Sequence, residues 1–216
     1  MSYKLVVFDL DGTLLNTIAD LSEAVNYALG LRSLPLHSRE EYTRMVGHGV
    51  RNLIQQALPE GLGDDVVMVD AVLADFTTYY TEHIDVYTRP YPGIQDLLVT
   101  LHQHGVMMAV ASNKFQEGTE HLIGEFFNDI PFVAVLGNRP GFPLKPDPEI
   151  VGEVLRQSGI SREAALMVGD SPTDMKTAAN GGIRGVAVSW GYRDMKEMEG
   201  LTVVDSADEL GKLILE

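Results

Sequence analysis

The chain has 216 residues, enough for one large domain or one domain carrying an insertion, and its 45% hydrophobic content can furnish a sizeable core. Its 31 acidic residues against 16 basic ones give a formal charge of -15, which repels nucleic acid and anionic lipid headgroups; an anionic ligand must therefore meet a local cation cluster or a bound metal. Cysteine is absent, which excludes disulfides, thiolate nucleophiles and cysteine zinc sites, and no stretch approaches the roughly 18 apolar residues of a membrane span. We expect a cytoplasmic protein, monomer or homodimer, with neither nucleic acid nor membrane as partner.

In chain order, LVVF at 5–8 is a short apolar strand that runs into DLDGT at 9–13. Residues 17–86 then break the strand rhythm. Thr17 and Asp20 read as a capping box, Ile18, Leu21, Val25 and Leu29 trace one helix face, and helical stretches follow at 38–46, 50–58 and 64–84. RPYPG at 89–93 reads as a return linker. Beyond it, apolar strand-like runs at 106–111, 132–136, 165–169 and 185–188 alternate with helical segments at 93–104, 116–127, 147–158 and 173–179. Wholly apolar strands separated by helices are covered on both faces, so the fold class is α/β: a Rossmann-like open parallel sheet over 1–16 and 87–216, with an inserted α-helical cap domain at 17–86. Ligands of such sheets bind beyond the carboxyl ends of the strands. Residues 9–13, the loop 112–114 and residues 170–174 are expected there, with Thr13, Ser112 and Asn113 as candidate substrate-binding residues.

The chemistry lies in those strand ends. Positions two apart on a strand point the same way, so Asp9 and Asp11 converge. Two bare carboxylates raise each other's pKa, and a divalent cation removes that cost. GDSPTD at 169–174 again puts an aspartate, Asp170, just after an apolar strand, with Asp174 one helical turn on. Ser171, Pro172 and Asp174 also spell a helix start and capping box. KPDP at 145–148 supplies Lys145 in a proline-flanked loop. The six histidines have no metal spacing.

Together DLDGT, VASNK, LKPDP and GDSPTD, in that order, resemble the four motifs of the haloacid dehalogenase superfamily of phosphotransferases. The resemblance implies that Asp9 is the nucleophile forming an aspartyl-phosphate, and that Asp11 protonates the leaving oxygen and later activates water. It implies Mg2+ held by Asp9, the Asp11 carbonyl and Asp170, with Asp174 supporting through water. Ser112 and Lys145 would bind phosphoryl oxygens. An acid in the Asp11 role must stay protonated part of the time, and we expect its neighbours to raise its pKa.

ADLSEAVNYAL and VGHGVRNLI further resemble the phosphoglycolate phosphatase branch, although Asn16 stands where that branch commonly has aspartate and no proline precedes Asp20. In the insert, eleven acidic residues face four arginines. Arg51, one turn into a helix that opens at Gly47-His48-Gly49, reads with His48 as a clamp for a carboxylate or phosphate. The expected activity is hydrolysis of a small phosphorylated metabolite, 2-phosphoglycolate first. A β-phosphoglucomutase-like transferase, a pyrophosphatase and a non-catalytic phosphate-sensing module are the alternatives. The insert has no lysine, which excludes a Schiff-base phosphonate hydrolase.

Overall fold

The computed structural model describes residues 3–216. Its elements in chain order are β1 (Leu5–Phe8), β2 (Leu15–Asn16), α1 (Ile18–Gly30), α2 (Arg39–Met45), α3 (Val50–Ala57), α4 (Val66–Glu82), β3 (Arg89–Pro90), α5 (Ile94–Gln103), β4 (Met107–Phe115), α6 (Gln116–Phe126), β5 (Phe132–Asn138), α7 (Glu149–Ser158), β6 (Ala165–Gly169), α8 (Pro172–Gly181), β7 (Arg184–Val188), β8 (Val203–Val204) and α9 (Ala207–Leu215). Six strands form one sheet in the order β5-β4-β1-β6-β7-β8, every pair parallel. The α/β class expected from the apolar strands is therefore the one observed. β1 lies between β4 and β6, so the strand order reverses beside it, which is where open α/β sheets bind ligands.

Why β1 is wholly apolar follows from its surroundings. Leu5 and Val7 join Ala109, Ala111, Ala165 and Met167 in one cluster with Ile150, Val151 and Val154 of α7 and Ala178 of α8. With a side-chain period of two, Val6 and Phe8 point to the opposite face, and they are equally buried. Each such side chain contributes about 1.5–3 kcal/mol on burial, so a polar residue on either face would be costly. On the sheet's flanks α5 packs with α9 and α7 with α8.

The chain divides into two compact units, residues 1–16 with 90–216, and residues 17–89. In the second unit α1 packs on α4 and α2, and α3 on α2 and α4. Its interior holds Leu21, Val25, Leu29, Tyr42, Leu53, Ile54, Val72, Phe76 and Tyr80. Asn26 ties the connection to α2, with its Oδ1 accepting from His37 N at 3.0 Å and from the Tyr42 hydroxyl at 2.7 Å.

Three local expectations need correction. Thr17 is the N-cap of α1 but makes no side-chain cap, because Asp20 turns inward instead: its Oδ2 accepts from Thr88 N at 2.8 Å and Thr88 Oγ1 at 2.7 Å. Residues 112–114 do not form a loop; they continue β4, within a register shift against β5 between Ala111 and Phe115. Finally, β8 and α9 close the chain where no element was expected. The Val203-Val204 pair is too short to register as an apolar run.

Candidate active site

Three loops and one strand end converge at the carboxyl edge of β1, β4 and β6. Asp9 follows β1 directly, and its N–H continues the sheet by donating to Val168 O at 2.9 Å. Its Oδ1 accepts from Leu10 N at 2.7 Å and lies 2.9 Å from Lys145 Nζ. Lys145 Nζ also donates to Asp174 Oδ1 at 2.7 Å, so one ammonium bridges two carboxylates. Its side chain is only 2% exposed. Asp170, Asp174 and Asp9 are all buried, and each offers a carboxylate oxygen within 4.8 Å of the others.

Local sequence explains how the start of α8 delivers Asp174. Ser171 is the N-cap, Pro172 sits in the first turn, and the Asp174 side chain accepts from Ser171 N at 3.1 Å, completing the capping box read in the sequence. The box uses Asp174 Oδ2, and Lys145 takes Oδ1. Gly169 cannot be replaced here, since a Cβ would lie 2.3 Å from Asp174 Cβ.

Burial and crowding dominate the electrostatics. Burial pushes the Asp9 carboxyl up to about 7, with help from the charge of Asp174 and against the opposing charge of Lys145. Burial also raises Asp170 well above the usual carboxylate range, with Asp174 and Asp9 adding to it. Burial alone would lower Lys145; Asp174 and Asp9 outweigh it and hold the ammonium firmly protonated.

The neighbours of Asp11 differ from expectation. Lys114 Nζ lies 3.2 Å from Asp11 Oδ1 and 3.4 Å from Oδ2, a cation where sequence reasoning considered only carboxylates. Lys114 lies within VASNK, and nothing in that string marks it as a partner of Asp11. Ser112, Asn113 and Lys114 are all buried in succession, as the apolar residues before them in β4 are, and the register against β5 shifts across them. Asn113 spends its side chain on the main chain of Lys145: its Nδ2 donates to Lys145 O at 3.1 Å, and its Oδ1 accepts from Lys145 N at 2.8 Å. Ser112 Oγ accepts from Lys114 N at 3.2 Å. Thr13 is wholly buried, and its Oγ1 has no hydrogen-bond partner, a polar atom that a bound ligand would satisfy.

The two insert candidates lie within the helical unit. His48 is exposed in the bend before α3, whose N-cap is Gly49, and Arg51 on α3 pairs with Asp70 of α4. Trp190, Gly191 and Tyr192, which follow β7, were not read in the sequence at all, though they reach the site. Nothing in an SWGY string signals this, because the contacts come from a main-chain amide, an indole N–H and the lack of a side chain.

The family model for haloacid dehalogenase-like hydrolases matches residues 6–188. A phosphoglycolate phosphatase from Mesorhizobium japonicum is 36% identical over 97% of this chain and 94% of its own length. Among solved structures, a candidate phosphoglycolate phosphatase from Lactobacillus delbrueckii subsp. bulgaricus superposes with a TM-score of 0.93 at 33% identity, covering 100% of this chain and 99% of that one. CbbY from Rhodobacter sphaeroides, solved with phosphate, gives a TM-score of 0.77 at 25% identity over 97% and 96% of the two chains. Phosphatases of this family generally use Mg2+, and the buried acidic triad is an all-oxygen donor set of the kind such a hard cation takes. With its sheet, its acidic strand ends and its full-length relatives all in agreement, the chain belongs to the haloacid dehalogenase-like hydrolases, as a phosphatase similar to the phosphoglycolate phosphatase branch.

Proposed function

We propose that this phosphatase is a cytoplasmic, Mg2+-dependent hydrolase of 2-phosphoglycolate that works through an aspartyl-phosphate on Asp9. The observation that carries the reading is the placement of the Asp9 carboxylate. It is buried, its Oδ1 is held by Leu10 N and Lys145, and Asp170 and Asp174 stand within 4.8 Å. The pKa of Asp9 and of Asp170 is raised first by burial and then by the neighbouring carboxylates, and a dication would offset both costs. Asp9, the Asp11 carbonyl and Asp170 would hold Mg2+, with Asp174 behind them. The ion's contribution is to neutralise charge on the phosphoryl oxygens and on the nucleophile.

The protein's own residues account for the remaining steps. An Asp9 oxygen attacks phosphorus, the ester P–O bond breaks, and Asp11 gives its proton to the departing glycolate oxygen. Lys145 and Ser112 hold phosphoryl oxygens, Thr13 Oγ1 offers a buried hydroxyl to the same ligand, and Asn113 fixes the Lys145 main chain. Asp11, now ionised, takes a proton from water, which attacks the aspartyl-phosphate and releases inorganic phosphate with Asp9 restored. His48 and Arg51 are the candidates in the helical unit for the substrate's carboxylate.

A phosphate-release screen over 2-phosphoglycolate, pyrophosphate, β-glucose 1-phosphate and generic sugar phosphates, with and without Mg2+, tests this. We expect 2-phosphoglycolate to give the highest kcat/KM, and Mg2+ removal to abolish turnover. Equal rates on generic sugar phosphates would defeat the substrate assignment. Asp9→Asn should lower kcat by at least about 1000-fold on every substrate; parent-like turnover would defeat the mechanism.

A further inference from the structure

The Asp170 carboxylate sits in a slot whose two walls are glycines from different loops. On one side, a Cβ on Gly12 would lie 2.4 Å from Asp170 Oδ2 and 3.0 Å from Oδ1. Gly12 also has φ +86°, a conformation other residues adopt only with strain. On the other side, a Cβ on Gly191 would lie 2.1 Å from Asp170 Cβ and 2.4 Å from Oδ2. No side chain fits either wall. Within the slot, Tyr192 N donates to Asp170 Oδ2 at 2.7 Å. The loop carrying Gly191 is latched in turn: the Trp190 indole N–H donates to Thr13 O at 3.1 Å, joining the segment after β7 to the segment after β1.

We propose that the Ser189–Tyr192 segment is the positioning element for the metal-binding carboxylate, with Gly191 and the Tyr192 amide holding Asp170 and Trp190 holding the segment. The inference rests on the Mg2+ reading above. A carboxylate walled on both sides and tied through one oxygen has little rotamer freedom left. It presents its other oxygen to an ion without first being ordered, and partners behind a ligand typically govern metal affinity in this way. None of these three residues touches substrate in this scheme. They act through Asp170 alone.

The test is calorimetric titration of chelated, metal-free full-length protein with MgCl2, run on the parent, Gly191→Ala and Trp190→Phe, alongside thermal unfolding of each in EDTA. Gly191→Ala should weaken the Mg2+ Kd by about 10- to 100-fold. Trp190→Phe removes only the latch and should weaken it by less, up to about 10-fold. In EDTA Trp190→Phe should melt within about 2 °C of the parent, whereas Gly191→Ala, whose new Cβ must displace Asp170, should melt lower. Should Gly191→Ala fail to fold, Trp190→Phe still decides the matter. Variants that bind Mg2+ with the parent's Kd overturn the inference and leave the metal reading intact. So does an affinity loss in Trp190→Phe matched by a fall in its own EDTA melting temperature, which would mark a general packing defect. A parent that takes up no Mg2+ overturns the metal reading itself, and the inference with it.

Discussion

The ion pairs at the sheet edge and those of the helical unit work in opposite ways. In the α/β unit, Lys145 and Lys114 are each 2% exposed and meet carboxylates that are themselves largely buried. In the helical unit, Arg51 and Asp70 are 51% and 54% exposed. Arg44 pairs with Glu40 four residues away on α2, where both are mostly in water. Water screens the exposed pairs, and their expected worth is about 0–1 kcal/mol. Around Lys145 the ions have lost their hydration, so every charge depends on its partner, and removing one leaves the others uncompensated. The contrast shows that these paired acids of the helical unit are surface groups, whereas the smaller acidic group at the sheet edge is a chemical one.

The sharpest way to break this comparison is Lys145→Met. In EDTA it should destabilise the protein by about 3–5 kcal/mol, because Asp9 and Asp174 lose their shared cation, and urea unfolding would measure it. A loss below about 1 kcal/mol would place the core pair in the same category as the surface pairs. A smaller effect should come from pH. The folded-state pKa of Asp9 is raised to about 7 from an ordinary 3.8, so between those values the native state binds more protons than the unfolded one. Stability of the metal-free protein should therefore fall as pH rises from about 4 to about 7, and Asp170 acts in the same direction. Melting temperatures in EDTA at pH 5 and pH 8 check the sign, with the higher value expected at pH 5. Saturating Mg2+ should flatten that difference by favouring the ionised carboxylates. The smallest effect belongs to Arg51→Ala, which should change stability by about 0.5 kcal/mol or less. If it also leaves kcat/KM for 2-phosphoglycolate unchanged, Arg51 is a surface residue and has no part in substrate capture.

Much of the architecture was legible because it rests on local patterns. LVVF, ALMVG and the other apolar runs demand burial on both faces, and the helices between them carry their own caps, as Ser171, Pro172 and Asp174 do for α8. The acidic strand ends were legible for a similar reason: a carboxylate directly after a buried strand has few structural excuses. What failed was anything set by partners distant in sequence. Thr17 and Asp20 have the spacing of a capping box, but Asp20 finds Thr88, 68 residues away, and a carboxylate bonded to two main-chain amides and a hydroxyl has no reason to serve a helix end. ASNK reads as a loop because polar residues end the apolar run, whereas β4 runs on through it to Phe115, with a register shift against β5.

By itself, then, the sequence determined the parallel α/β class and the run of helices in the insert, which follow from periodicity, and put Asp9 and Asp170 at strand ends; that Lys145 joins them was implied by the resemblance of the four motifs. Only the tertiary structure decided that Lys114 pairs with Asp11, that Asn113 braces Lys145, and that Gly12 and Gly191 enclose Asp170. Those contacts depend on which strands become neighbours and how closely their loops approach, and a glycine's missing side chain acquires meaning only beside the atom it makes room for.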